Sequence, residues 1–301
     1  MKILILGLNS QISKTIHKKI GTKKMKKYDF LFLDRKYMNK KSLSTEIKKY
    51  KPNTIINTTV FHPVDDCEKY INKSKKINVL LIKDLINIFK YQKINPLFIH
   101  ISSDYVFEGN PKKLAYTDNA YRNPINVLGN HKKQSEDLIL KYYKNGIIIR
   151  TSWLFSEFNK NFVTKIFNKL INNNSLKVVS NQFGNPTSTN SLVNFIFDYL
   201  LIKKKVKYKI NTYNFCNFPS VSWHIFAETI FNLMYKNKLI KKNLYVDEIS
   251  SEEIIDLNYL AKRPKNSSLL IDNINRNFKK YKPIYWYNEL ETVIKSITKD
   301  Y

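Results

Sequence analysis

The first residues whose types and spacing carry chemistry are Gly7-Leu8-Asn9-Ser10-Gln11-Ile12-Ser13, a turn between an apolar strand, Lys2 to Leu6, and an amphipathic stretch, Ser13 to Lys19. A strand that passes through a tight turn into a helix presents backbone amides and the positive end of the helix to an anion; such turns hold the pyrophosphate of a dinucleotide. Of the usual three glycines only the first is present, and Ser10 and Ser13 stand at the other two positions. Serine is small enough for the helix to pack near the strand, and its hydroxyl can meet a phosphate. A Cβ at position 10 would crowd the closest backbone approach, and a left-handed backbone there would cost about 1 kcal/mol. Asp34, ending the second apolar run, suits an adenosine ribose diol, whereas Arg35 beside it suits a 2′-phosphate. A surface Asp-Arg turn would account for the pair equally well, so NADH and NADPH both stay open. The five histidines (His17, His62, His100, His131 and His224) show no metal-ligand spacing, and Cys67 and Cys216 read as buried apolar residues.

The elements that must position this turn alternate regularly. Lys2 to Leu6, Phe30 to Leu33, Thr54 to Asn57, Leu97 to Ser102 and Gly146 to Arg150 read as buried strands. Between them lie helical stretches at Ser13 to Lys19, Ser42 to Lys49, Asn78 to Tyr91 and Lys132 to Tyr143. The spacing predicts βαβ units and a doubly wound parallel sheet, an α/β fold. After Arg150 the pattern is mixed: a helix at Asn161 to Asn172, a strand at Leu176 to Ser180, and helices near Ser191 to Lys203 and Ser222 to Tyr235. Residues 1–150 are therefore expected to form the dinucleotide domain, and 151–301 mainly a substrate-binding lobe interleaved with it.

A formal charge of +28 invites a nucleic-acid reading. Only five of the 52 basic residues are arginine, the residue preferred for bidentate phosphate and base contacts, and the lysines are scattered over helices and loops. A lysine-covered solvated surface is the favoured reading. The short apolar N-terminus lacks a signal peptide's longer core, no run is long enough to span a membrane, and two cysteines give no disulfide framework. A soluble, reducing, cytoplasmic setting is expected.

Several longer segments then carry recognisable patterns. Ile56-Asn57-Thr58-Thr59-Val60-Phe61-His62-Pro63-Val64-Asp65 is similar to INAAAYTAVD, and His100-Ile101-Ser102-Ser103-Asp104-Tyr105-Val106-Phe107 to HISTDYVF. Asn123-Pro124-Ile125-Asn126-Val127-Leu128-Gly129 with Lys132 follows NPLNVYGxxK. Arg150-Thr151-Ser152-Trp153, Asn161-Phe162 and Asn181-Gln182-Phe183-Gly184-Asn185-Pro186-Thr187 keep the order RTSW, NF, DQxGxPT, and Trp223-His224 and Arg263-Pro264-Lys265-Asn266-Ser267 come after. In this order and spacing the chain resembles the dTDP-4-dehydrorhamnose reductases, extended short-chain dehydrogenases with a Rossmann-like domain.

The resemblance implies hydride transfer from NADPH or NADH to a C4 ketone on a nucleotide-linked deoxysugar, followed by protonation of the alkoxide. It places Gly7, Asn9, Ser10, Gln11, Ile12, Asp34, Arg35, Asn57 and Lys132 against the cofactor, and Ser103, Trp153, Asn161, Trp223 and Arg263 against the substrate, with Arg263 as a diphosphate partner. Ser103 is the hydroxyl that polarises the ketone, and Lys132 the lysine that supports the proton donor and holds the nicotinamide ribose. Asn78 resembles a supporting residue, or else caps the helix it opens. The donor itself is a tyrosine in the family, and here Leu128 stands in its place. Losing one positioned acid removes about 10²- to 10⁴-fold of rate. His131, three residues along, lies on a neighbouring helical face, and Tyr105 reads as a packed aromatic. Two functions follow: a working or weakened reductase, or a non-catalytic member that binds nucleotide or sugar nucleotide, as a homodimer or as a partner's regulatory subunit.

Overall fold

Ile3, Ile5, Ile56, Ile99, Ile147 and Ile149 pack on one side of a sheet, and Leu4, Leu6, Ile55, Phe98 and Ile148 on the other, because successive strand residues point to opposite faces. With both faces covered by helices, the strands read in sequence as continuous apolar runs rather than alternations. The computed structural model describes residues 1–172, 175–201, 211–240, 244–253 and 260–300. Its sheet contains β1 (Lys2–Leu6), β2 (Asp29–Leu33), β3 (Thr54–Asn57), β4 (Leu97–Ser103), β5 (Gly146–Thr151) and a sixth strand, Asn211–Asn214. The order is sixth-β5-β4-β3-β1-β2, every pair parallel. The direction of winding reverses between β1 and β3, and the crevice beyond their C-terminal ends is where such sheets take ligands.

The helices α1 (Gln11–Lys19), α2 (Lys40–Tyr50), α3 (Val64–Lys69), α4 (Ile71–Lys75), α5 (Leu81–Tyr91) and α6 (Val127–Tyr142) connect these strands, with a π-helical turn at Lys76–Leu80 between α4 and α5. The expectation that a helix opens at Asn78 is corrected: helical structure begins at Val64, and Asn78 sits inside the π turn rather than at a cap. Its amide accepts from the Phe61 N–H at 3.0 Å and donates to Ser74 Oγ at 3.1 Å, which ties the exit of β3 to this helix.

The second half builds its own core. Phe155, Val163, Phe167, Phe226, Ile230, Trp286 and Leu290 are buried together among the helices Phe162–Ile171, Trp223–Lys236 and Trp286–Ile297. A parallel strand pair, Leu176–Val179 with Val246–Ile249, flanks them. The helix expected near Ser191 to Lys203 runs over Thr189–Phe195 and continues as a π-helical turn to Leu200; Ile202 and Lys203 lie outside the described residues.

Candidate active site

Gly7 follows β1 with φ +97°, and a Cβ there would stand 2.8 Å from Thr58 Oγ1, so only glycine fits this turn against the end of β3. Ser10 follows as the N-cap of α1, in an extended backbone (φ −73°), with its hydroxyl accepting from the Ser13 N–H at 3.0 Å. The left-handed strain expected at Ser10 is therefore absent. What replaces the two glycines is a hydroxyl cluster. Thr58 Oγ1 donates to the Leu6 carbonyl at 2.8 Å, which leaves its lone pairs to accept Ser10 Oγ at 2.7 Å and Ser13 Oγ at 3.0 Å. Gln11 and Ile12 open the helix beside it, and the first amides of a helix have no partner within it.

Asp34 accepts from the Lys36 N–H and caps a short 3₁₀ turn, while exposed Arg35 reaches the Val60 carbonyl at 3.2 Å. Asn57 is fully buried, and its side chain is committed inside the fold: it donates to His100 Nδ1 at 3.1 Å and accepts from the Thr59 N–H and hydroxyl. These bonds hold the end of β3.

Asn126 caps α6 by accepting from the Gly129 N–H at 2.8 Å. A Cβ on Gly129 would lie 2.0 Å from the Tyr105 carbonyl oxygen, so glycine allows α6 to close onto the end of β4. That approach buries Lys132, whose Nζ donates to the Ile101 carbonyl at 2.9 Å. Burial pushes its ammonium down to about 8, against the opposing pull of Glu136 and Cys67. Leu128, one turn before Lys132, is 5% exposed and joins Val64, Cys67 and Ala261 in a small apolar cluster, with Tyr105 packed against it. His131 turns its Nδ1 to Ser74 Oγ at 2.8 Å, and burial lowers its basicity. Ser103 ends β4, and its Oγ donates to Asp104 at 2.8 Å and accepts from the Tyr105 N–H.

A strap from Ala261 to Ser268 closes over this end of the sheet. Ala261 N–H donates to Asp65, Arg263 forms an ion pair with the same carboxylate, and the Lys262 carbonyl accepts from Asn126. Arg263 also bonds Tyr105, whose hydroxyl burial pushes up to about 12. Trp153 and Trp223 stack on each other, with ring centroids 3.3 Å apart and planes at 6°. Trp153 holds φ +43°, and a Cβ on Gly184 would lie 2.5 Å from its indole, so three separate sequence motifs meet in one stack. Asn161 caps the helix Phe162–Ile171 through a reciprocal bond with Thr164, and its amide reaches Gln11 at 3.2 Å, which joins the lobe to the α1 turn. The capping role of Asn161 and the parts played by Thr58, Asp65, Asp104 and Ala261 escaped the sequence reading, and only Asp104, directly after Ser103, carried a local signal; Cys67 is the buried apolar residue expected.

Among the described residues no group of His, Cys, Asp and Glu is placed to hold a metal ion, and no helix is long and apolar enough to cross a membrane.

A parallel sheet with its winding reversed at β1 and β3, a capped glycine turn at that point and a buried lysine on the helix after β4 define an α/β protein of the extended short-chain dehydrogenase type. Residues 1–299 match the family described as the RmlD substrate binding domain. The dTDP-4-dehydrorhamnose reductase of Aggregatibacter actinomycetemcomitans is 31% identical over 298 residues, covering 97% of this chain and 98% of that protein. The reductase of that name from Bacillus anthracis, solved in complex with NADP, superposes with a TM-score of 0.85 at 27% identity, covering 98% of this chain and 99% of its own. The one from Clostridium acetobutylicum gives 0.85 at 28%, covering 99% and 100%. The chain belongs to the dTDP-4-dehydrorhamnose reductase family.

Proposed function

We propose that this protein binds NADPH or NADH together with a nucleotide-linked 4-keto-6-deoxysugar, and reduces the ketone as in the conversion of dTDP-4-dehydro-L-rhamnose to dTDP-L-rhamnose. The observation that carries the reading is the buried Lys132 ammonium beside the end of β4, kept in a chain that matches the family from end to end. The α1 turn fits a dinucleotide: Gly7 gives the close turn, the Ser10 N–H holds it by donating to the Gly7 carbonyl, and the amides of Asn9, Gln11 and Ile12 would face the pyrophosphate. Asp34 and Arg35 would meet the adenosine ribose, and Lys132 the nicotinamide ribose. When bound, the reduced nicotinamide supplies the hydride. Ser103 polarises the ketone, and Trp153, Trp223 and Arg263 orient the sugar nucleotide. Residues 1–150 serve mainly the cofactor and 151–301 mainly the substrate, in a cytoplasmic enzyme of polysaccharide precursor synthesis.

Leu128 supports a second reading, a protein that binds nucleotide or sugar nucleotide without turnover, alone, as a homodimer or as a partner's regulatory subunit. An alkyl side chain packed among Val64, Cys67 and Ala261 donates no proton. Oxidation of NADPH or NADH by the purified protein with dTDP-4-dehydro-L-rhamnose separates the two. Turnover above that of a Ser103→Ala, Lys132→Ala control supports the reductase; tight dinucleotide binding without turnover supports the second reading.

A further inference from the structure

Asp104 is a carboxylic acid that the chemistry above leaves unused, and it is 2% exposed. One oxygen meets Ser103 Oγ at 2.8 Å, and the carboxyl group also faces the Ser267 hydroxyl of the strap. Ser103 Oγ accepts the Tyr105 N–H at 3.2 Å as well. A hydroxyl has one hydrogen and two lone pairs, so the charge on Asp104 decides where that hydrogen points. Beside an ionised Asp104, the Ser103 hydrogen is spent on the carboxylate and none faces a ketone. Beside a protonated Asp104, the carboxyl donates to Ser103, the Tyr105 amide fills the second lone pair, and the hydroxyl hydrogen is free for the ligand.

We propose that Asp104 and Ser103 form the proton line of this chain, which supplies the hydrogen that Leu128 cannot. The inference rests on the reductase reading for the identity of the ketone. As the hydride supplied by the bound dinucleotide forms the new C–H bond at C4, the carbonyl electron pair moves onto oxygen. That oxygen takes the Ser103 proton, Ser103 takes the Asp104 proton, and Asp104 is left as a carboxylate that solvent reprotonates. Ser103 touches the reacting oxygen; Asp104 acts through it and is a positioning residue. Burial pushes the Asp104 carboxyl up to about 6, opposed by the nearby Ser267 hydroxyl and by its bond from Ser103. The titratable groups around it are Tyr105, with Arg263 and Asp65 behind, and Cys216 from the loop after the sixth strand. Burial holds both the Tyr105 phenol and the Cys216 thiol in their protonated forms, so neither competes with Asp104 for a change of charge near neutrality.

Asp104→Asn tests the line, because an amide still donates to Ser103 but has no proton to give. With dTDP-4-dehydro-L-rhamnose and NADPH, wild-type kcat is expected to fall about tenfold per pH unit above roughly pH 6. The variant is expected to lose about 100-fold in kcat and the pH dependence together, with KM changed by less than about threefold. In a Leu128→Tyr background, where a phenol supplies the proton, the same substitution is expected to cost much less. Wild-type kcat and an unaltered pH profile in Asp104→Asn would overturn the proton line while leaving the reductase reading intact; absence of turnover in the wild type would remove both. Infrared difference spectroscopy reads the group without turnover. A protonated carboxyl band that titrates near pH 6 and vanishes in Asp104→Asn supports the proposal, and a carboxylate already ionised at pH 5 overturns it.

Discussion

Lys132 Nζ donates to the backbone carbonyl of Ile101 at 2.9 Å, so a charged side chain of α6 is anchored on the last residues of β4. The anchor carries a stability cost that depends on pH. Burial holds the ammonium at about 8 in the folded protein, against about 10.4 for an unfolded lysine. Between those values the unfolded chain binds the extra proton, so wild-type stability rises with pH across that window. Lys132→Met keeps the alkyl stem without the charge. It is expected to be more stable than wild type at pH 7, with the gap in melting temperature shrinking from pH 8 to pH 10, and to bind NADPH more weakly.

Leu128→Tyr restores a phenol at the head of α6. The added volume enters the cluster of Val64, Cys67 and Ala261, and overpacking there is expected to cost about 1–3 kcal/mol. Reductase kcat should rise, by less than the about 10²- to 10⁴-fold that a positioned acid is worth, because Ser103 and Asp104 already supply a proton. Cys67→Ala in the same chain should recover part of the stability by making room. Steady-state kinetics and urea midpoints check both.

Thr58→Val removes the hydroxyl that receives Ser10 and Ser13 while keeping the side chain's shape. Loss of the shared acceptor, together with the bond to Leu6, is expected to cost about 1–3 kcal/mol. Because Ser10 also caps α1, dinucleotide affinity should weaken by about tenfold, or 1.4 kcal/mol, in a fluorescence titration. A Ser13→Ala change made on top should cost less than it does alone, since the two groups share one network.

Gly184→Ala drives a methyl into the Trp153 ring. The indole pair should part, with loss of its near-ultraviolet dichroism, and sugar-nucleotide affinity should fall well before NADPH affinity does. Equal losses for both ligands would place the stack outside the substrate site.

Glu136 is fully enclosed and receives Arg150 through two nitrogens, Arg122 and the Ser102 hydroxyl. Glu136→Gln leaves the buried Arg150 charge without its anion, at an expected cost of about 3–5 kcal/mol. Adding Arg150→Met should return much of that loss, as thermal unfolding would report.

Four of the five leading strands were legible because strands buried on both faces are written as unbroken apolar runs, such as Ile147-Ile148-Ile149; β2, read as buried too, lies at the sheet edge with only Leu33 buried. Ser103 and Lys132 were legible from their motifs. The helical start at Val64 was hidden because Asp65, Asp66, Glu68, Lys69 and Lys73 make the segment polar, and its periodic signal rises only after Asn78. The sixth strand, Asn-Thr-Tyr-Asn, has little apolar content and owes its state to the edge of β5. Thr58, Asp104 and the strap owe their meaning to contacts between segments far apart in sequence, which no local pattern records. The substituted serines looked like damage to the turn one at a time; Thr58 shows them to be parts of one arrangement.

The sixth strand also sets an order for synthesis. Until residues 211–214 leave the ribosome, the free edge of β5 presents Ile147, Ile148 and Ile149 with unpaired backbone groups, a surface that recruits other strands. A chain halted between residues 151 and 211 therefore holds five of the six strands described in the central sheet and none of the cover for the last one. Its folding yield in the cell will depend on how quickly that interval is translated and on how many holding chaperones are free to occupy the edge meanwhile.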